Sequence, residues 1–436
     1  MCADAGFSHV ETLPESRFRS RMAFHVHANW TLLGLCGLRG ALLMVALWLA
    51  TGDWCQSSVA MTLGLGTAVP VSVVGPETAV CNAVSFAQFP DDLDLFLGRV
   101  DVDAPPRSCT GNQWSLALFK MDWVGSALRY VDAVMAIPAD LPPGVGIRSG
   151  AQLTSAYDPT IARYHGELWV AFECWGKNFS GVSACIAPLR LTDSQSARVD
   201  LQRLSVAVSG TSTDASSPYQ YSASVPKIFT FRNRIYLYWS VVQFPWGGNE
   251  TSFLNVTTRG MELEEDAGRL WGKHSNGASI PSLDPSRNIE VLGLVAGDPL
   301  SDSAADMFGV HADETTIYAT AGVGGKGCVT PSQAIYGCYR LRISATTDPL
   351  GFRTFNRNIL SSHAAPANPQ ELTRFVKHPS DGLFLMGSYI ESPKEYPLTN
   401  TLPPGFWRYP VAPREWTFST LRDGPGAKTA PQGRGP

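Results

Sequence analysis

From Leu95 onward the chain carries short apolar runs with an every-other-residue rhythm, each preceded by a lead-in segment and a turn. Asp158-Pro-Thr-Ile passes through His165-Gly166 into Leu168-Trp-Val-Ala-Phe172, and Val225-Pro-Lys-Ile passes through Arg232-Asn233 into Ile235-Tyr-Leu-Tyr-Trp239. Asp306-Met-Phe leads through Ala312-Asp313 into Ile317-Tyr-Ala-Thr320, and Glu371-Leu-Thr-Arg-Phe leads through Ser380-Asp381-Gly382 into Leu383-Phe-Leu-Met386. A degenerate earlier copy runs from Ser85-Phe-Ala through Pro90-Asp91-Asp92 into Leu95-Phe-Leu97. The period of two in Ile235-Tyr-Leu-Tyr-Trp is the signature of a strand packed on one face. Each hairpin is followed by a third strand and a polar turn, starting near Ser115, Ala184, Ser252, Gly337 and Pro404. A repeat of roughly 70 residues is too long for a WD40 blade and right for a propeller blade with long connections. The pattern therefore predicts an all-β chain, a five-bladed β-propeller over residues 78–420. A two-sheet sandwich is the competing arrangement. Residues 1–60 read as an N-terminal extension, and 421–436, rich in Gly and Pro, as a disordered tail.

Composition agrees with many short strands: the 436 residues include 40 Gly and 31 Pro, and only 17% are charged. A net charge of −4 with no basic cluster in the body lacks the footprint of a phosphate-backbone binder, so nucleic acid is excluded as a partner. Arg17, Arg19 and Arg21 precede an apolar run from Trp30 to Ala50 whose only charge is Arg39. That order is the order of a secretory signal, with Ser58 and Ala60 as a candidate cleavage site. An uncleaved anchor, a single membrane-spanning segment with Arg39 near its middle, is the alternative. In both cases the body is expected outside the cytoplasm, and any membrane contact is expected through that segment alone.

Nine cysteines include six beyond the N-terminal segment. Proximity pairs Cys174 with Cys185 and Cys328 with Cys338, leaving Cys81 for Cys109. No C-x-x-C pair or closely spaced histidine partner points to zinc. Sequons at Asn178, Asn249 and Asn255 suit glycosylated surface loops.

A propeller brings the first strand of every blade to the central axis, so the lead-in segments converge on one funnel. Their equivalent positions read Ser85, Asp158, Val225, Asp306 and Glu371. Three carboxyls in one cleft raise at least one pKa and equip it for acid/base chemistry. Each acid alone is also an ordinary turn former or cap. Trp175, Tyr221, Trp239 and Trp246 lie where a sugar ring can stack, although Trp239 also continues an alternating strand and so reads equally as core. No cofactor is expected beyond an axial cation such as calcium; His311 and His378 are able to ligate such a cation or hydrogen-bond a sugar, but a lone histidine is more often structural and neither is taken as a metal ligand.

The stretch Ala156-Tyr-Asp158-Pro-Thr-Ile-Ala-Arg-Tyr-His-Gly-Glu-Leu-Trp-Val-Ala-Phe172 resembles the first catalytic strand of five-bladed propeller glycosidases of the glycoside hydrolase family 43 type. The resemblance implies that Asp158 is a general base, that Glu371, followed by Arg374 as a substrate contact, is the general acid, and that Asp306 orients and tunes the acid. It also implies a carbohydrate substrate of arabinose, xylose or galactose type, and hydrolysis with inversion, which places two carboxyls about 6.5–9.5 Å apart. Val225 stands on the blade after Asp158, where the family's pattern of successive acids would place another. That departure favours the alternative of a non-catalytic propeller that binds carbohydrate or protein at the same funnel. Motifs of serine hydrolases, P-loop enzymes, zinc proteases, EF-hands and sialidase Asp-boxes are absent.

Overall fold

A computed structural model describes residues 69–76, 84–102, 113–193, 195–210, 219–245, 255–273, 289–292, 304–324, 339–351, 369–380, 382–389 and 406–410. The chain divides into two units, Met1–Val59 and Ala60–Pro436, and every described residue belongs to the second. The candidate signal segment, the tail, Cys81, Cys109, Cys328, Cys338 and Asn249 lie outside the described residues.

The strands fall into five antiparallel groups, of which the third and fourth are joined by one parallel bridge, Val256 to Ala304, and the first and fifth through the N-terminal strand, so that three hydrogen-bonded sheets result. The first contains β2 (Val84–Gln88), β3 (Leu95–Asp101), β4 (Trp114–Asp122) and β5 (Ala127–Ala133). The second contains β7 (Gln152–Tyr164), β8 (Glu167–Lys177) and β9 (Ser183–Asp193), with a short β6 (Ala139–Asp140) beside β7. Its outer edge is split between β10 (Ser196–Val199) and β11 (Ser205–Val208). The third contains β12 (Tyr219–Phe231), β13 (Arg234–Pro245) and β14 (Asn255–Asp266), with β15 (Arg269–Gly272) and β16 (Ile289–Leu292) on its outer edge. The fourth is β17 (Ala304–Ala312), β18 (Ile317–Gly324) and β19 (Tyr339–Thr346). The fifth is β20 (Pro369–His378), β21 (Gly382–Tyr389) and β22 (Phe406–Pro410). The N-terminal strand β1 (Val69–Val74) pairs antiparallel with β22 and parallel with β5, so it ties the last sheet to the first.

The innermost strands neighbour one another in a cycle: β2 lies against β7, β7 against β12, β12 against β17, β17 against β20, and β20 against β2. This is the arrangement of propeller blades around an axis. The predicted third strands begin within a few residues of β4, β9, β14, β19 and β22. Two-residue turns close the hairpins where the sequence places them: His165 and Gly166, at φ 48° and 82°, join β7 to β8, and Arg232 and Asn233, at 51° and 60°, join β12 to β13. Successive left-handed residues give the primed turn whose twist matches that of the flanking strands.

The one-face reading of the alternating runs needs correcting. Leu168, Val170 and Phe172 of β8 pack into a cluster with Leu95, Leu97, Leu116 and Leu118 of the first sheet. Trp169 and Ala171, on the opposite face, pack with Ile235, Leu237 and Trp239 of the third sheet. Tyr236 and Tyr238 then pack with Ile317 and Ala319 of the fourth. A blade is sandwiched between two neighbours, so both faces of its second strand are buried and the run is apolar throughout. The expected Cys174–Cys185 disulfide is present and joins β8 to β9, with Cα atoms 5.8 Å apart.

Candidate active site at the bulge ring

Every innermost strand carries an irregularity at the same place in its register. Ser85 and Phe86 of β2 together oppose Gly98, Asp158 and Pro159 of β7 oppose Phe172, and Val225 and Pro226 of β12 oppose Trp239. Leu372 and Thr373 of β20 oppose Gly387 in the same way, and β17 has its shift between Met307 and Gly309. An inserted residue bends the strand and re-aims its side chains, which is why bulges gather at sites. The first bulge residue is left-handed in three blades: Ser85 at φ 59°, Asp158 at 50° and Val225 at 49°. For a β-branched valine that backbone costs of order 1–3 kcal/mol.

This register confirms the equivalence of Ser85, Asp158 and Val225 and corrects the other two positions. Asp306 pairs with Gly322 and Glu371 with Ser388, which puts them in register with Val84, Tyr157 and Ser224, one residue ahead of Asp158. Met307 and Leu372 hold the position of Asp158. Proline after the bulge residue marks the place in β7 and β12, and β17 and β20 have none to mark it. Asp306 and Glu371 are described by their backbone alone.

Asp158 is buried, 6% exposed, and its Oδ1 has no hydrogen-bond partner. Around it the structure adds groups that the sequence reading missed. Glu173 of β8 is buried and accepts a hydrogen bond from the Val225 amide on the next blade. Lys227 is fully buried, and its Nζ donates to the carbonyls of Val225 at 2.6 Å and Pro226 at 3.3 Å. The strained Val225 peptide is thus held at its amide by a carboxylate and at its carbonyl by an ammonium, charge-assisted bonds that offset the backbone cost. Thr160 Oγ1 donates to Pro226 O at 3.0 Å and accepts from the Ile228 amide at 3.0 Å, stitching β7 to β12. Gln88 does the same between β2 and β20 through the carbonyl and amide of Lys377, at 2.6 and 2.7 Å. The sequence offers little signal for the roles of Glu173, Thr160 and Gln88, because their partners lie 52 or more residues away, whereas the carbonyls that Lys227 meets are near neighbours on its own strand.

The predicted sugar contacts separate. Trp175 is 42% exposed and free to stack, and Tyr221 is half-buried. Trp239 is fully buried among Trp169, Ile235 and Met261, so it belongs to the core and offers no face to a ligand. Arg374 is buried and donates to Ser85 Oγ at 2.7 Å across the junction of the fifth and first blades. Trp246 lies outside the described residues.

Beyond the bulges the axis opens into a cavity of about 230 Å3 lined by Thr160, Lys227, His311, Arg374 and Lys377 among others. No carboxylate lines it among the described residues, and no group of three histidine, cysteine or acidic side chains there could hold a metal ion. Ammonium and guanidinium groups give a cation such as calcium no oxygen cage in this cavity. His311 is pushed down to about 4, chiefly by burial and then by Lys377, with Asp313 opposing. His378 is engaged elsewhere: its Nδ1 accepts from the Ser380 amide at 3.2 Å and its ring meets Trp123 edge-on, 4.6 Å between centroids.

No family model matches the chain, and no curated protein does. Among solved structures it is similar to an α-L-arabinofuranosidase from Lactobacillus brevis at 12% identity, covering 74% of this chain and 88% of that one with a TM-score of 0.44. A GH43_1 enzyme from Xanthomonas citri complexed with xylose matches at 12% identity, 79% and 90% coverage and a TM-score of 0.42. A mannose phosphorylase from Leishmania mexicana with bound phosphate matches at 9% identity, 87% and 94% coverage and a TM-score of 0.44. At such identities and TM-scores the likeness transfers neither activity nor residue roles to this chain.

Proposed function

We propose that the chain is an extracytoplasmic glycoside hydrolase that inverts at the anomeric carbon of arabinose-, xylose- or galactose-type sugars. The observation that carries the reading is Asp158: a buried carboxylate at a strained bulge, with Oδ1 left without a partner. Leaving a buried acceptor unsatisfied costs about 1–3 kcal/mol, a penalty removed when a water or a sugar hydroxyl binds there. In the proposed reaction a water attacks the anomeric carbon and passes its proton to Asp158. The bond to the leaving oxygen breaks, and that oxygen takes a proton from Glu371. Asp306, on the blade beside Glu371, supplies the negative charge that keeps the acid protonated. The exposed face of Trp175 supports sugar stacking, and the Cys174–Cys185 disulfide supports an oxidising compartment.

One observation favours a second reading, a propeller that binds carbohydrate or protein without turnover. Val225, at the position equivalent to Asp158 on the next blade, is buried in an apolar cluster with Phe86, so the bulge residue of that blade contributes no carboxyl. The test is a panel of neutral aryl arabinosides, xylosides and galactosides, with the anomer first released followed by proton NMR. Hydrolysis with an inverted first product supports the hydrolase. Binding of sugars with no hydrolysis across the panel supports the second reading.

A further inference from the structure

Arg99 of β3 pairs with Val84, and Glu173 of β8 pairs with Tyr157, so the two occupy the same register position on neighbouring blades. Glu173 reaches forward to the bulge of the third blade. Arg99 approaches the second blade through an aromatic of its own blade: its guanidinium carbon lies 5.0 Å from the ring centroid of Trp114 on β4, and that ring meets Tyr157 of β7 edge-on, also at 5.0 Å. Tyr157 immediately precedes Asp158. The Trp114 amide donates to Ser155 Oγ at 3.4 Å, which fixes the start of β4 against β7 at the same end of the strands.

This wall is rich in donors that the protein does not use. Arg99 Nε and Trp114 Nε1 are both buried and have no hydrogen-bond partner, and Arg99 takes part in no ion pair among the described residues. A guanidinium held over an aromatic ring presents a planar fork that matches a carboxylate or sulfate edge, and the contact lowers the entropy lost on binding. A neutral sugar hydroxyl would satisfy one donor and leave the charge unmatched.

We propose that Arg99 and Trp114 form a subsite for an acidic sugar unit, bearing a uronate carboxylate or a sulfate ester, beside the unit held at Asp158. The proposal rests on the hydrolase reading for the identity of the neighbouring unit, and it is tested by binding rather than turnover. Titration calorimetry on the full chain would compare a neutral xylo-oligosaccharide, its glucuronate-substituted counterpart and a sulfated oligosaccharide of similar length. The wild type should bind one of the two acidic ligands about tenfold or more tightly than the neutral one, with a preference that weakens as salt rises, and the two acidic arms identify the group recognised. Arg99→Gln should remove the preference while leaving neutral binding within about twofold, and Arg99→Lys should restore only part of it. Trp114→Phe keeps a smaller aromatic face but removes the indole N–H, and should reduce the preference without abolishing it. Equal affinity for all three ligands, or a preference that survives Arg99→Gln, overturns the subsite. Preference for an acidic ligand without hydrolysis of any substrate would leave the subsite standing and remove the hydrolase; hydrolysis of neutral substrates with no acidic preference would do the reverse.

Discussion

The half-buried imidazole of His311 makes acid stability a quantitative test of the axial cavity. His311 packs between Tyr318, 6.1 Å away with rings nearly parallel, and Phe375 at 6.0 Å, and burial, then the charge of Lys377 from β20, makes protonation costly. Asp313 is the one carboxylate that eases it. An ordinary histidine takes up its proton near 6.5, whereas this one holds out to about 4. Between those values the unfolded chain binds a proton that the folded chain refuses, so stability falls as the pH drops through the window and no further loss from this group occurs below it. A depression of that size is equivalent to roughly 3 kcal/mol. Urea unfolding of the wild type and His311→Gln at pH 7.5 and pH 4 isolates the contribution, because all other groups titrate alike in both proteins. The wild type should lose about 3 kcal/mol more than the variant over that interval. Parallel losses in the two proteins would show that His311 is not held neutral in a cationic cavity.

Two further perturbations test the ring and its staple. A methyl group at Gly98 would run into the ring of Phe86, itself 1% exposed at the first bulge, so Gly98→Ala should destabilise by about 1–3 kcal/mol in chemical unfolding, and an unchanged midpoint would deny the bulge its tight packing. Replacing Cys174 and Cys185 together by alanine should cost about 2–4 kcal/mol under oxidising conditions and nothing under conditions that already reduce the wild type, as measured by paired thermal melts.

Second strands were legible because a blade buries both faces, which turns Leu168 to Phe172 and Ile235 to Trp239 into uninterrupted apolar runs bounded by turn residues. The same burial hid which aromatics bind: Trp239 and Trp175 look alike in sequence, and only the neighbouring blade decides that one is core and the other exposed. The bulge was readable where proline follows it, at Asp158 and Val225, and misplaced by one residue at Asp306 and Glu371, where only strand pairing shows the register. Arg99, Glu173 and Lys227 read as polar interruptions of strands. Their meaning comes from the packing at the blade junctions: Arg99 lies over Trp114, whose ring meets Tyr157 of the next blade, Glu173 takes the Val225 amide of the next blade, and Lys227 caps the Val225 and Pro226 carbonyls of its own strand.

The central claim, that chemistry takes place at the unpartnered carboxylate of Asp158, is tested most directly by the turnover of Asp158→Asn on the best substrate of the wild type, with affinity measured alongside. The amide keeps the shape of the bulge residue and removes its capacity to accept the proton, so kcat should fall by about 10²–10⁴-fold while Kd for the sugar stays within a few-fold. A variant that turns over at the wild-type rate would contradict the claim.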